Sequence, residues 1–329
     1  MWELDGVMGA SDKAETGFGQ RTGLIIAGPT ASGKSALALA IARELGGTII
    51  NADAMQCYRE LRVLTARPSL EDEAAAPHVL YGVKAVGEPA NAAWWREAAK
   101  AEMQAARLPI ICGGTGMYFS ALVKGIADIP DPGENARAEA RRLLVQLGPE
   151  VLHAKLDAET AAKLKPGDSQ RIARAYEVLL GTGKGIAYWQ AQPTERLQGW
   201  TLKMILLDPP RPALREAIET RFAAMLEAGA LDEARALLAL NLPPELPLMR
   251  AHGVPELGAY LRGEISLEAA KARAVLATFQ YTKRQMTWFR HQELASKTDM
   301  QIIHSRIDQN TKFSERYLAD LGNFINHSG

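Results

Sequence analysis

The stretch that decides the fold is LIIAGPTASGKSALALAI at residues 24–41, an apolar run, a glycine-bounded loop and a helix-forming run in direct succession. Its centre fills every position of the P-loop pattern G-x-x-x-x-G-K-[ST], between a strand and a helix as the pattern requires. Backbone N–H groups of such a loop point at phosphate oxygens, and the helix N-terminus and the lysine add positive charge. We therefore predict a site for a diphosphate or triphosphate, with Ser35 as a ligand of Mg²⁺. Its residues are Gly28, Pro29, Thr30, Ala31, Ser32, Gly33, Lys34 and Ser35.

A carboxylate follows the next predicted strand. Gly46-Gly47 ends the helix and TIIN at 48–51 forms a short strand, so strand, helix and strand succeed one another. This order implies a right-handed crossover and a parallel sheet. Asp53 then lies just past a strand's C-terminal end, where open α/β sheets bind ligands, and it could hold Mg²⁺ or act as a general base. The spacing Asp53-Ala54-Met55-Gln56 is also that of a capping box, so Asp53 could instead only begin a helix.

A second glycine-rich loop, Gly113-Gly114-Thr115-Gly116, follows the predicted strand at 108–112 and precedes a helix. It should therefore lie at the same sheet edge as the P-loop. Thr115 either caps that helix or donates its hydroxyl to a phosphate oxygen. The strand ends without the acidic residue with which many NTPases bind Mg²⁺, so nucleotide hydrolysis is less well supported than the P-loop alone suggests.

Composition predicts a soluble globular protein. The 329 residues are 47 % hydrophobic and 23 % charged, and the formal net charge is zero, which argues against nucleic-acid binding over the whole surface but leaves local basic patches open. No apolar run reaches the roughly 20 residues that span a bilayer, and no secretory signal is visible. Cys57 and Cys112 have neither zinc-site nor disulfide spacing. We expect a cytoplasmic protein that does not enter a membrane.

The predicted fold class is α/β, a P-loop NTPase-like parallel sheet flanked by helices, with a helical insertion. Turn-forming residues at 126–133 begin the insertion, and a strand at 201–207 returns to the sheet. A long helix from a Ser266 cap to about His291 ends the core. The predicted parts are a loose leader at 1–21, the core at 22–125 and 200–292, the insertion at 126–199 and a C-terminal tail at 293–329.

Basic residues gather in the insertion and in the long helix. Arg137, Arg141 and Arg142, and the sequence QRIAR at 170–174, are by themselves typical of solvated helix faces. Residues 281–290 mix basic and aromatic side chains, which suits base stacking, but an amphipathic core helix has the same pattern and is the interpretation we favour. Three histidines lack metal-ligand spacing, and we interpret them as structural: His78, His252 and His291.

Seven ordered motifs resemble those of the tRNA dimethylallyltransferases, also called tRNA isopentenyltransferases, over residues 23–291. They are GPTASGKS at 28–35, NADAMQCYR at 51–59, TARP at 65–68, PHxL at 77–80, GGTGMYF at 113–119, QRIAR at 170–174 and QYxKRQxTWFR at 280–290. Eukaryotic relatives carry a C-terminal zinc finger. This sequence has no cysteine after 112, so it is similar to the bacterial form.

The resemblance implies transfer of a dimethylallyl group from dimethylallyl diphosphate to N6 of adenosine 37, beside the anticodon in tRNAs that read codons beginning with U. It implies that the P-loop holds the donor's diphosphate with Mg²⁺, that Asp53 is the general base on N6, and that Thr115 contacts the oxygen bridging carbon and phosphorus. It also implies a monomer. Contacts to the tRNA anticodon stem-loop fall by the same resemblance on Asp53, Ala54, Met55, Gln56, Thr115, Arg137, Gln170, Arg171, Ile172, Ala173 and Arg174.

Three positions depart from the family pattern. Arg67 replaces a common lysine, Leu64 stands where a glycine often lies, and Gly253-Val254-Pro255 replaces a Gly-Tyr-basic run. Three other functions stay open at this point: a prenyltransferase that uses free AMP, ADP or ATP, a P-loop kinase or NTPase, and an RNA-binding module without catalysis. The motif at 170–174 favours an RNA substrate over a free nucleotide.

Overall fold

The architecture is a parallel β-sheet covered by helices on both faces. A computed structural model of the chain describes residues 21–308, 311 and 313–326. In this described part, neighbouring strands are all parallel and their order across the sheet is β3-β2-β4-β1-β5-β6. The strands are β1 (Arg21–Ala27), β2 (Thr48–Asn51), β3 (His78–Val79), β4 (Pro109–Gly113), β5 (Trp200–Leu207) and β6 (Met300–Ile303).

The helices occupy the connections, as a parallel sheet requires. They are α1 (Lys34–Leu45), α2 (Leu70–Ala75), α3 (Ala92–Ala105), α4 (Gly116–Lys124), α5 (Glu134–His153), α6 (Ala158–Lys163), α7 (Ser169–Thr182), α8 (Ile186–Gln190), α9 (Arg211–Glu227), α10 (Ala230–Ala239), α11 (Val254–Leu261), α12 (Leu267–Arg290) and α13 (Glu315–Asn326). Short 3₁₀ turns lie at Met55–Cys57 and Pro247–Arg250. The predicted fold class is confirmed.

The central strands are continuous apolar runs because both sheet faces are buried. Ile25 lies beside Ile111 of β4 and beside Met204 of β5, and all three are nearly inaccessible to solvent. Alternate β1 side chains enter different clusters: Leu24 and Ile26 pack with α1, whereas Ile25 packs with Trp95 of α3. This alternation is the period-two pattern of a strand between two helical layers.

Local sequence signals determine several helix boundaries. Ser266 accepts a hydrogen bond from the Ala269 N–H and caps the start of α12, and His291 is the C-cap at its end, close to the predicted limit. Asn91 caps α3 through the N–H of Trp94, and Gly46 ends α1 in the left-handed conformation. These residues satisfy backbone groups that a helix end leaves without partners.

The described chain between α4 and β5 contains helices α5 to α8 and no strand. Helix α5 is kinked at Gly148, where φ is 79° and Pro149 follows. Proline lacks the N–H that a continuing helix needs, so the helix changes direction there. The exact limits of the insertion, 126 and 199, stay a prediction.

The structure contains two strands and one helix that the sequence analysis did not predict. The tail at 293–329 is predicted without any element, yet β6 pairs with β5 and α13 packs beside β1 and α1, burying Leu321 and Ile325. Strand β3 is missed as well, because two residues show no period. Strand β6 lacks the flanking glycines that mark the equally short β2. Residue 21 already belongs to β1, and the rest of the predicted leader, 1–20, lies outside the described residues. Within the described chain, no helix combines the length and apolarity that crossing a membrane needs.

Candidate active site

The P-loop follows β1 and places two of its residues in the left-handed region, which favours glycine. Gly33 has φ 96°, and Ala31 also lies in the left-handed region at φ 65°. The Lys34 amine donates to the Pro29 carbonyl oxygen at 3.1 Å, so the side chain folds back over its own loop. The hydroxyl of Ser32 is buried and has no hydrogen-bond partner among the described residues. A buried polar group of this kind needs a partner, and an anion in the loop would supply one.

Electrostatics at Lys34 also favour a bound anion. Burial lowers the pKa of the Lys34 amine below its ordinary value, the charges of Cys112 and Asp53 oppose that shift, and Arg221 adds to it. A buried cation with a lowered pKa gains most from a negative partner at short range. The loop is therefore prepared for a phosphate group.

Asp53 lies past the end of β2, held by a pair of local hydrogen bonds. Its N–H donates to Asn51 Oδ1 at 2.8 Å, and Asn51 Nδ2 donates to the Asp53 carbonyl at 3.0 Å. Asp53 Oδ1 accepts from the Met55 N–H at 3.0 Å and so begins the 3₁₀ turn. The capping box with Gln56 is not closed, because the Asp53 N–H donates to Asn51 and Asp53 Oδ1 accepts from Met55 rather than from Gln56. Gln56 Nε2 donates to the carbonyls of Thr65 and Ala66.

One carboxylate oxygen of Asp53 is left for chemistry. Within the described residues, Asp53 Oδ2 has no hydrogen-bond partner, whereas Oδ1 is engaged by the turn. The structural and the catalytic interpretation of Asp53 are thus compatible, since each uses a different oxygen. A general base needs such an accessible lone pair within reach of the proton that it removes.

Thr115 joins the β4 loop to the Asp53 turn. Its Oγ1 accepts from the Ala54 N–H at 3.0 Å, and its own N–H donates to the Ala52 carbonyl at 3.1 Å. It occupies the N-cap position of α4 without a side-chain capping bond. The Thr115 hydroxyl hydrogen is therefore still able to point at a ligand oxygen. Gly113 permits this close approach, since a Cβ there would lie 2.2 Å from the Ala52 backbone.

Gln285 of α12 connects the P-loop with the loop that carries Thr115, a role that the sequence analysis did not predict. Its Oε1 accepts from the Thr30 N–H at 2.9 Å and from Thr30 Oγ1 at 3.2 Å. Its Nε2 donates to the Gly114 carbonyl at 3.1 Å, and the side chain is almost completely buried. The P-loop and the Thr115 loop are thereby held at a fixed separation. In the sequence, only the presence of a polar residue on the apolar face of the predicted helix could have indicated this role.

The negative charge of Asp53 acts on ionisable groups of later elements. Burial lowers the pKa of Arg221 on α9, and the negative charge of Asp53 opposes that shift. Burial raises the pKa of Tyr281 to about 12, to which Asp53 contributes. Burial also lowers the pKa of His252, whose ring lies 5.2 Å from that of Tyr281. Arg221 was missed by sequence reasoning because no local motif distinguishes it.

A Mg²⁺ site at Ser35 fits the donor set that the chain offers. Ser35 lies exposed in the first turn of α1, and its hydroxyl can supply one oxygen ligand. The described residues contain no group of three or more histidine, cysteine, aspartate or glutamate side chains that could hold a metal. Magnesium is commonly bound through few protein ligands together with phosphate oxygens and water, which is the arrangement that this edge permits.

The residues predicted to contact tRNA in the insertion differ in exposure. Gln170 and Arg171 are exposed at the start of α7, and Arg174 is partly exposed and paired with Glu177. Ile172 is fully buried, so its side chain packs inside the insertion and cannot face a ligand. A helix turns about 100° per residue, which places every third or fourth residue of such a motif in the interior. Arg137 is half-buried against Asp131 and Glu134.

The remaining positions singled out in the sequence have structural partners. Arg67 packs closely against Gly82, and Leu64 is buried in the cluster formed by α9 to α12. Gly253 has φ 98° and precedes α11, so the departure from the family pattern begins a helix here. In the stretch 281–290, Gln285, Met286 and Phe289 are buried, which confirms the core-helix interpretation for that face of α12.

Known proteins have sequences similar to that of this chain. Family models described as IPP transferase and isopentenyl transferase match residues 56–292 and 23–79. A tRNA dimethylallyltransferase of Acidiphilium cryptum is 62 % identical over 308 residues, or 93 % of this chain and 95 % of that protein.

Two solved structures resemble this chain in fold. The full-length tRNA isopentenylpyrophosphate transferase of Bacillus halodurans is 28 % identical with a TM-score of 0.64, over 93 % of this chain and 95 % of that one. A eukaryotic dimethylallyltransferase acting on tRNA shares the fold, with 24 % identity and a TM-score of 0.76 over 93 % of this chain and 79 % of that one. From its sequence, its sheet and its relatives, the chain belongs to the tRNA dimethylallyltransferase family.

Proposed function

We propose that this protein transfers the dimethylallyl group of dimethylallyl diphosphate to N6 of adenosine 37 in tRNA, giving N6-(dimethylallyl)adenosine and diphosphate. One observation carries the assignment of the reacting groups. Asp53 has one unengaged carboxylate oxygen, the Thr115 hydroxyl is bonded to the Asp53 turn, and Gln285 ties the Thr115 loop to the P-loop. The relatives named tRNA dimethylallyltransferase support the choice of substrates.

The P-loop receives the diphosphate of the donor. The buried Ser32 hydroxyl lacks a protein partner in the described chain, and Lys34 and Arg221 lie in a region of reduced solvation. When the bond between carbon and the bridging oxygen breaks, negative charge grows on the leaving diphosphate. Cations and amides already in place stabilise that charge without reorganising, which is the largest single contribution in many enzymes.

Asp53 accepts the proton of the attacking amine. The lone pair of an adenine amine is delocalised into the ring, so N6 attacks poorly unless its proton leaves as the N–C bond forms. Asp53 Oδ2 takes that proton, while Oδ1 stays bonded to the Met55 N–H and fixes the carboxylate plane. Thr115, anchored through its accepting bond from Ala54, donates its hydroxyl hydrogen to the bridging oxygen of the donor.

Magnesium is the proposed cofactor, and the Ser35 hydroxyl would be its ligand from this chain. When bound, it supplies positive charge that neutralises the diphosphate. The protein's own part is to present the exposed Ser35 hydroxyl in the first turn of α1.

The acceptor is the tRNA anticodon stem-loop. A stacked adenine cannot reach Asp53, so the base must leave the loop's stack at a cost of a few kcal/mol. Contacts from the Asp53–Gln56 turn, Thr115 and the exposed side chains of α7 and Arg137 would compensate that cost, as single-stranded RNA recognition does. We further propose that the protein acts as a monomer in the cytoplasm.

Product analysis with separate acceptors tests the proposal. The protein is incubated with dimethylallyl diphosphate, Mg²⁺ and either unmodified tRNA, AMP, ADP or ATP, and nucleosides are analysed by mass spectrometry. We expect the dimethylallyl mass on adenosine from tRNA only. Modification of AMP, ADP or ATP instead would assign the protein to the adenylate prenyltransferases. ATP turnover without donor, lost in Lys34→Ala, would indicate a kinase or NTPase.

A further inference from the structure

The chain that follows β6 crosses the P-loop. Residues 304–308, here called the strap, leave the sheet edge beside β5, where the Asp208 N–H donates to the Ile303 carbonyl at 2.9 Å. The Ile307 N–H then donates to the Ser32 carbonyl at 3.1 Å, and the Ile307 side chain is buried with those of β1 and α1. Contact is so close that a Cβ on Gly33 would lie 2.0 Å from the Ile307 carbonyl oxygen. The strap therefore packs directly against the P-loop.

Arg306 places a cation against the same loop. Its Nε donates to the Ala31 carbonyl at 3.2 Å, at the residue whose φ of 65° gives the loop its left-handed turn. Its Nη1 donates to Asp308 Oδ2 at 2.8 Å. Within the described residues, no hydrogen bond from Nη2 is formed, so one edge of the guanidinium can still donate to an anion.

Cations from three separate elements lie near enough to the loop to act on one another electrostatically. They are Lys34 at the start of α1, Arg221 on α9 and Arg306 on the strap. Burial lowers the pKa of Arg221, the negative charge of Asp53 opposes that shift, and the positive charge of Arg306 adds to it. Like charges so arranged repel one another, and a bound anion would add to the compensation that Asp53 and Asp308 already supply.

We propose that the strap belongs to the donor site and that Arg306 binds the diphosphate together with Lys34 and Arg221. This inference rests on the proposed function, since it deepens the account of that site. The matched family models end at residue 292, so the strap contributes a donor-binding residue from outside the segment that they describe. Arginine suits the task because its planar fork can donate to two phosphate oxygens.

Binding of inorganic diphosphate in the presence of Mg²⁺, measured by isothermal titration calorimetry, tests the proposal. Four full-length proteins are compared: wild type, Arg306→Gln, Arg306→Lys and the control Arg316→Gln, which changes an exposed arginine of α13. We expect Arg306→Gln to weaken binding about 10-fold or more, the effect of losing a hydrogen bond between charged groups. Lysine keeps the charge, so Arg306→Lys should recover part of the affinity, and Arg316→Gln should bind as wild type does.

Other results overturn the inference in distinguishable ways. If the wild type binds no diphosphate, the donor site itself is wrongly assigned and the proposed function fails with it. If wild type and both Arg306 variants bind equally, the donor site stands and the role of Arg306 is refuted. If Arg306→Gln and Arg306→Lys lose affinity equally and also lose thermal stability equally, Arg306 only secures the strap and does not contact the ligand. Thermal unfolding of each variant supplies that last comparison.

Discussion

Replacing Gln285 by leucine should destabilise the protein through the two loops that Gln285 joins. Leucine has a similar volume, so packing is largely kept, but three hydrogen bonds to Thr30 and Gly114 are lost. The Gly114 carbonyl is buried, and the Thr30 N–H is only partly accessible to water. A buried group without its partner costs about 1–3 kcal/mol, so we expect the free energy of unfolding to fall by about 2–4 kcal/mol.

Urea unfolding followed by circular dichroism measures this change. The matched control is Gln280→Leu, because Gln280 lies exposed on the same helix. We expect that control to stay within about 0.5 kcal/mol of wild type, as surface substitutions usually do. Gln285→Glu provides a second comparison, since a carboxylate can accept from Thr30 but cannot donate to the Gly114 carbonyl. If Gln285→Leu is as stable as Gln280→Leu, Gln285 does not hold the two loops together.

Two further predictions concern elements around the site. Glu233 of α10 accepts the backbone N–H groups of Arg62, Val63 and Leu64, so Glu233→Gln, which puts an amide donor among them, should lower the free energy of unfolding by about 2–4 kcal/mol in urea titrations. An unchanged midpoint relative to the exposed control Glu227→Gln would contradict this. Burial lowers the pKa of His252 below 6.5, with Glu256 opposing and Arg284 adding to the shift. The unfolded chain therefore binds more protons in the window below 6.5, and stability rises with pH up to that value. His252→Gln should reduce this slope by up to about 1.4 kcal/mol per pH unit, whereas equal slopes from about pH 5 to 7 would refute the assignment.

The sequence predicted those parts of the site that depend on local pattern and sheet topology. The P-loop, Asp53 and Thr115 follow β1, β2 and β4, and parallel strands bring their carboxyl ends to one edge. No local spacing could predict Gln285, because it contacts a residue 255 positions away in the chain. Arg306 follows β6, which the polar residues 296–299 precede, whereas Gly46-Gly47 marks the start of the equally short β2.

The insertion shows a different limit. A motif marks residues 170–174 as a unit, yet helical geometry places Ile172 inside and Arg171 outside. The motif therefore combines residues that support α7 with residues that can face RNA. Only the three-dimensional structure separates the two groups.

The most direct test of the account is the single-turnover rate of dimethylallyl transfer to tRNA by Asp53→Asn. Asparagine keeps the oxygen that accepts from the Met55 N–H, so the turn should persist while the proton acceptor is lost. Mass spectrometry of the modified adenosine, at saturating donor and tRNA, gives the rate, and Asp320→Asn on the exposed face of α13 is the control. We predict transfer at least ~100-fold slower than wild type with donor and tRNA affinities unchanged. Transfer at a near-normal rate would remove Asp53 from the chemistry and contradict the account.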